Sequence, residues 1–265
     1  MRKEIINDFI IKFKNIDYAC KEEILNFFST YYPDLSNSTF LWRLYELKEK
    51  GIITKISNDK YQINDKYYKN SFSLTLPDNI ISKTLMKFNK SLDNVHSYKN
   101  DEKMICMWNL NILNSFTSHQ YSKEIVFVEI DKYRIKELFF DLKDKLNTKY
   151  YISKEYTKDY DHIALEGKII IINTLVKRAP LKKQNARLNH YVVSPKLEKI
   201  LVDIIANKEI FNMYDKASIK EIFLNCYEKY NLDFTTLLYY AKNRGIRETV
   251  RAFTEQVLGV NLDDK

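Results

Sequence analysis

Leu44-Tyr-Glu-Leu-Lys-Glu-Lys-Gly51-Ile-Ile-Thr-Lys-Ile56 changes periodicity at its single glycine. Before Gly51, Phe40, Leu41, Leu44 and Leu47 recur at helical spacing, and Ser36 stands where an N-cap belongs. Gly51 then suits the left-handed turn that ends a helix. Beyond it, Ile52-Ile-Thr-Lys-Ile56 and Tyr61-Gln-Ile-Asn64 are β-prone runs joined by the turn composition Ser57-Asn58-Asp59-Lys60. The stretch therefore reads as a helix that stops sharply and feeds a hairpin.

Two shorter helices precede it. Ile5, Ile6, Phe9, Ile10 and Phe13 share one face of the first. The second starts near Cys20-Lys-Glu-Glu, its acidic first turn favoured by the helix dipole, turns Ile24, Leu25 and Phe28 inward, and closes at Tyr32-Pro33. Three short helices and then a hairpin is the order of a winged helix-turn-helix. On that reading Ser36, Asn37, Ser38, Thr39 and Arg43 face base edges and phosphates, while Lys55 and Lys60 on the wing reach the adjacent backbone. A winged helix used only for protein contact would leave the same polar residues solvated.

The rest of the chain sets this domain, residues 1–70, before two further parts. Met104-Ile-Cys-Met-Trp108, Ile125-Val-Phe-Val128 and Ile169-Ile-Ile-Ile172 are continuous apolar runs, as in strands covered on both faces, and Asp131 to Leu146 is helical between them. Residues 71–193 are thus an α/β domain. Residues 194–265 read as all helix packed on it. Ser194-Pro195 opens one helix there, a Ser218-to-Glu221 capping box a second and Asp233 a third that ends near Gly245; the last runs from about Ile246 to Leu258. The overall expectation is a mixed α+β or α/β chain.

Composition narrows the chemistry. The four glycines are too far apart to build a phosphate-wrapping loop, which excludes the Walker A and dinucleotide fingerprints. Cys20, Cys106 and Cys226 form no pair at ligand spacing and read as buried thiols, and the four histidines are scattered. No metal and no cofactor is expected. With no leader pattern or membrane-length apolar run, a cytoplasmic location is expected.

Formal charge is +8, yet residues 1–70 hold twelve basic against ten acidic side chains. Most of the excess lies in residues 167–200, around Lys177, Arg178, Lys182, Lys183 and Arg187, a segment suited to DNA phosphate, to an acidic partner or simply to solvent. One catalytic alternative exists. Glu166 and Lys168 share a strand face, with Asp161 nearby, as in the E-x-K element of restriction-like nucleases.

Trp108, His119-Gln120, Phe127-Val-Glu-Ile130, Arg178-Ala-Pro-Leu181, Pro195-Lys-Leu-Glu-Lys-Ile-Leu-Val-Asp203, Ile222-Phe223 and Leu238-Tyr-Tyr-Ala-Lys-Asn-Arg244 together resemble AbiEi-like proteins. These are antitoxins and transcriptional regulators of type IV, abortive-infection toxin–antitoxin modules. The resemblance implies a non-enzymatic, phage-defence regulator that binds inverted repeats in its own promoter. It also implies a nucleotidyltransferase toxin as functional partner, opposed without a stable complex. Two alternatives remain: a restriction-like nuclease guided by the winged helix, and a protein-interaction module docking through Lys177 to Arg187.

Overall fold

A computed structural model describes residues 3–13, 16–64, 72, 74, 79–90, 104–156, 158–159, 167–182 and 192–262. The fold is mixed α and β and divides into two compact units, Met1–Phe72 with Phe223–Lys265, and Ser73–Ile222.

In the first unit the chain runs α1 (Lys3–Lys12), β1 (Tyr18–Cys20), α2 (Lys21–Ser29), α3 (Asn37–Glu49), β2 (Ile53–Lys55) and β3 (Lys60–Ile63). Gly51 ends α3 as its position suggests. At φ 67° its N–H donates to the Lys48 carbonyl (2.9 Å) and the Ile52 N–H to the Leu47 carbonyl (3.0 Å), while Ile52 and Leu47 meet in the core. The hairpin pairs Ile53 with Ile63 and Lys55 with Tyr61. β1 adds an antiparallel third strand, in the order β1-β3-β2, which sequence pattern did not reveal. Three residues are too few to show a period. The core gathers Phe9, Phe13, Phe27, Phe28, Phe40, Leu44 and Leu47, with Phe9 edge-on to Phe27 at 5.2 Å between ring centres.

Cys20 departs from the expectation of a buried thiol. It is exposed and caps α2: its Sγ accepts from the Glu23 N–H and its own N–H donates to the Glu23 carboxylate (2.6 Å), which holds that carboxyl below its ordinary range. Cys106 and Cys226 are buried.

The second unit runs α4 (Ile80–Lys90), β4 (Ile105–Asn109), β5 (Glu124–Ile130), α5 (Ile135–Leu146), β6 (Tyr151–Ser153), β7 (Lys168–Thr174), β8 (Leu181–Lys182), β9 (Val192–Pro195) and α6 (Leu197–Ala206). Among the described residues its six strands lie in the order β6-β7-β5-β4-β9-β8. β6, β7 and β5 are mutually parallel, β4 is parallel to β9, and the β4–β5 and β8–β9 pairs are antiparallel. Met107, Val126, Val128, Ile170 and Ile172 bury one face against Leu85 and Phe88 of α4 and Leu138 and Leu142 of α5. On the other face Trp108 and Phe127 pack with Phe211, and Glu129 meets α6. Both faces are covered, as the continuous apolar runs imply.

Two expected helix starts are corrected. Ser194 and Pro195 are the end of β9, paired with Lys182 and Leu181; the ladder and the Lys196 N–H bond to the Pro180 carbonyl keep them extended, and α6 begins at Leu197. That helix is buried on every side from Leu197 to Ile204, not on one face. In α7 (Lys216–Lys229) the cap is Asp215, whose Oδ1 accepts from the Ser218 N–H (2.7 Å). Glu221 instead accepts from the Thr117 hydroxyl (2.7 Å) and the Ser118 N–H, so no Ser218–Glu221 capping box forms.

The chain ends with α8 (Phe234–Asn243) and α9 (Arg247–Leu258), closed by Gly245 and Gly259 at positive φ. The unit division falls inside α7. Residues 223–265 group with the N-terminal unit, where an all-helical part on the α/β domain was expected. Polar anchors explain the grouping. Asn231 donates to the Lys48 carbonyl, Thr54 donates to Asn231 (2.8 Å), Lys48 pairs with Asp233 (2.6 Å) and Tyr227 donates to Gln62 (2.9 Å). Residues 65–71, where the first boundary was placed, lie outside the described residues.

Candidate nucleic-acid interface

Ser36 does double work at the start of α3. Its Oγ accepts from the Thr39 N–H (3.2 Å) and shares hydrogen bonds with the Ser38 and Thr39 hydroxyls at 3.0 and 2.9 Å. The cap is thus occupied by Ser36, and the exposed first turn presents Asn37, Ser38 and Thr39. These groups donate and accept hydrogen bonds at the positive end of a helix dipole, where phosphate oxygens are favoured.

Arg43 does not join them. Its guanidinium pairs with Glu46 at 2.8 Å and lies over the Tyr32 ring at 5.2 Å, leaving its side chain 19 % exposed. The outward face carries Leu41, Trp42 and Tyr45 instead, with Trp42 59 % exposed and stacked on Tyr45 at 5.4 Å. Sequence reading passed over this pair. The available signal was two large aromatics displaced from the Phe40–Leu44–Leu47 stripe.

Charge near α3 is largely consumed: Lys48 pairs with Asp233 and Arg43 with Glu46. On the hairpin, Lys55 is half-buried and reaches Asn58 at 3.4 Å, while the exposed Lys60 lies over Tyr18 at 4.5 Å. Cation–π contacts leave an ammonium its full charge. Around α3 and the hairpin, Lys50, Lys55 and Lys60 are therefore cations available to a phosphate backbone.

In the second unit the basic segment is described only in part. Lys177 and Arg178 are exposed in a turn, with Arg178 at φ 58°, and Lys182 lies half-buried on the edge strand β8. Lys183 and Arg187 lie outside the described residues, as do Asp161 and Glu166. Lys168 opens β7 and sits 3.4 Å from Glu124. Among the described residues no cluster of His, Cys, Asp and Glu could hold a metal ion, and no helix is long and apolar enough to cross a membrane.

The most unusual chemistry is interior. Lys199, wholly buried on α6, lies 2.5 Å from Glu129 of β5 and 2.6 Å from Asp203 one turn on; the Trp108 indole N–H approaches Glu129 at 3.4 Å. Two carboxylates thus share one ammonium away from water. Burial drives the Glu129 carboxyl above its ordinary range, against the opposing pull of Lys199, and Asp203 adds to the rise. Burial, then Glu129, likewise hold the neighbouring Cys106 thiol far above its usual range, so it is an inert thiol. Lys199 and Asp203 fall in the Pro195-to-Asp203 phrase, where helical period alone offered no reason to pair them with Glu129.

Residues 39–259 match a domain family of unknown function, DUF6577. Among curated proteins, none matches the chain.

Proposed function

The chain belongs to this family of unknown function, and we propose from its own geometry that it is a double-stranded DNA-binding regulator whose first unit acts as a winged helix. One observation carries the reading. A helix–strand–helix–helix–hairpin order leaves the first turn of α3, with Asn37, Ser38 and Thr39, open to solvent, and α3 leads at its other end into a lysine-bearing hairpin. Hydroxyl and amide groups there read base edges, Trp42 and Tyr45 give apolar contact to thymine methyls, and Lys50, Lys55 and Lys60 meet phosphates. The chain acts by binding and needs no cofactor. Its resemblance to AbiEi-like antitoxins supplies the wider role: autoregulation at an inverted repeat and opposition to a nucleotidyltransferase toxin.

Three phosphate contacts per copy and two copies per inverted repeat make affinity fall about 10³-fold between 50 and 200 mM salt. Gel retardation of the chain's own upstream DNA across that range checks this; absent or salt-independent binding overturns the proposal. Ser38→Ala with Asn37→Ala is expected to cost about tenfold in affinity at unchanged melting temperature. Arg43→Ala is expected to act on α3 stability instead, because its partners are Glu46 and Tyr32.

The exposed Leu41, Trp42 and Tyr45 favour a second reading, in which α3 meets protein. Trp42→Ala with Tyr45→Ala separates the two: a loss of DNA affinity supports the first, and a change of oligomeric state at unchanged DNA affinity the second.

A further inference from the structure

Beside the edge strand β6 of the second unit lies a cleft of about 640 Å³. Five lysines line it: Lys143 from α5, Lys149 from the turn after it, Lys154 and Lys158 after β6, and Lys168 at the start of β7. Glu155 and Asp159 are the carboxylates of its lining, and both are engaged. Glu155 pairs with Lys158, and Asp159 accepts from the Ser153 hydroxyl at 2.7 Å. Glu124 lies 3.4 Å from Lys168. Among the described residues, Lys143 and Lys149 form no ion pair, and Lys154 acts on Glu155 only through its charge, since that carboxylate is paired with Lys158.

Two of these ammonium groups are positioned, not merely adjacent. Lys143 and Lys154 both lie over the Phe139 ring, at 5.5 and 5.0 Å from its centre. A ring quadrupole holds these two cations without neutralising them, so the cleft gathers an excess of positive charge that favours an anion. Tyr150 and Tyr151 widen the aromatic lining. The volume lies within the range of about 300–1,000 Å³ usual for small-ligand sites.

The geometry points to a nucleoside triphosphate as the occupant of this cleft, its phosphates among Lys143, Lys149 and Lys154 and its base against Phe139 and Tyr151. The chain lacks a glycine loop that would present backbone amides to phosphate. Here lysine side chains take that role as point charges. This site is separate from α3 and stands whether or not the DNA-binding reading does.

Titration calorimetry of the full chain, without DNA, against ATP, GTP, CTP and UTP tests it, with inorganic tripolyphosphate and a 5′-phosphorylated single-stranded oligonucleotide as further probes. At least one nucleotide is expected to bind with a Kd of about 10–100 µM. Lys143→Ala with Lys154→Ala should weaken it at least tenfold, whereas Lys208→Ala with Lys220→Ala, outside the cleft, should leave it unchanged. Phe139→Leu keeps the apolar packing and removes the ring that positions Lys143 and Lys154, so it should weaken both tripolyphosphate and nucleotide, and nucleotide the more because it also loses the base contact. No saturable binding, or equal affinity in the Lys143/Lys154 variant, overturns the site. Equal loss of both ligands in Phe139→Leu overturns the base contact, and an oligonucleotide that outcompetes every free nucleotide overturns the small-ligand assignment.

Discussion

Lys199→Met should destabilise the second unit by about 3–5 kcal/mol, the usual cost of breaking a buried ion pair from one side. The methionine fills much of the volume, so the loss is electrostatic. Glu129 and Asp203 would face each other without the ammonium that lies 2.5 and 2.6 Å from them. The chain has two tryptophans, one in each unit, so a Trp42→Phe background leaves Trp108, beside Glu129, to report this unit during urea unfolding. The deficit should depend on pH. A carboxyl whose folded-state pKa is raised contributes stability that is full below its ordinary value and is lost as pH rises through the raised one. Burial raises Glu129, and Lys199 is what restrains the rise. Without Lys199 the folded-state value climbs further and the loss continues to higher pH. The gap between variant and wild type should therefore be smallest near the ordinary carboxylate range and widen toward neutrality. Glu129→Gln, which leaves one lysine with one aspartate, should cost about 1 kcal/mol or less and recover part of the stability when combined with Lys199→Met. Equal unfolding midpoints for Lys199→Met and wild type at neutral pH would remove the ion cluster from any account of this fold.

The two units differ in how much of them could be read from residues alone. α3 and its hairpin were legible because Gly51 marks the point where a 3.6-residue period becomes a two-residue one, and Asp233 announced α8 because a cap acts locally: its Oδ1 accepts from the Thr236 N–H at 3.1 Å. β1, β6 and β8, of three, three and two residues, are strands because neighbours pair with them. Pro195 looked like a helical first-turn proline until the ladder to Leu181 claimed it. Glu221 looked like a local capping residue and bonds Thr117 and Ser118 instead. Local signals persist; whatever is decided by a partner a hundred residues away does not show.

The candidate interface divides along the same line. Asn37, Ser38 and Thr39 are exposed as their place in the first turn implies. Arg43 was misread because helical phase puts it near the outer face, whereas Glu46, three residues on, and the Tyr32 ring draw it back. The lysine cleft assembles residues from α5, the turn after it, the segment following β6 and the start of β7, so it exists only once β7 lies between β6 and β5.

Asp233→Ala tests what holds the first unit together, and its effect should come second in size, about 2–3 kcal/mol. Loss of the N-cap of α8 accounts for about 0.5–2 kcal/mol. The remainder comes from Lys48, whose 2.6 Å partner is about one-fifth exposed, so the pair is screened less than a surface one. Burial pushes the Asp233 carboxyl up, but Lys48 and the Thr236 N–H outweigh it and hold the group below its ordinary range. That sign fixes the pH dependence. The stability from a lowered carboxyl is present above its ordinary value and lost as pH falls through the lowered one. Wild type and Asp233→Ala should thus differ most at neutral pH and converge in acid, while Asp233→Asn, which still caps, should recover roughly half of the loss. Lys48 closes the C-terminal end of α3, and Asn231, two residues before Asp233, donates to its carbonyl. Amide exchange across residues 44–56 should accordingly accelerate together with that of α8. DNA affinity then discriminates anchoring from contact. Below its melting range Asp233→Ala should bind the upstream DNA as wild type does, since it touches only the C-terminal end of α3, whereas the Asn37/Ser38 variant should bind more weakly at full stability. If Asp233→Ala loses affinity while fully folded, the anchor acts on the geometry of the first turn and α3 does not behave as a rigid rod between its cap and its glycine.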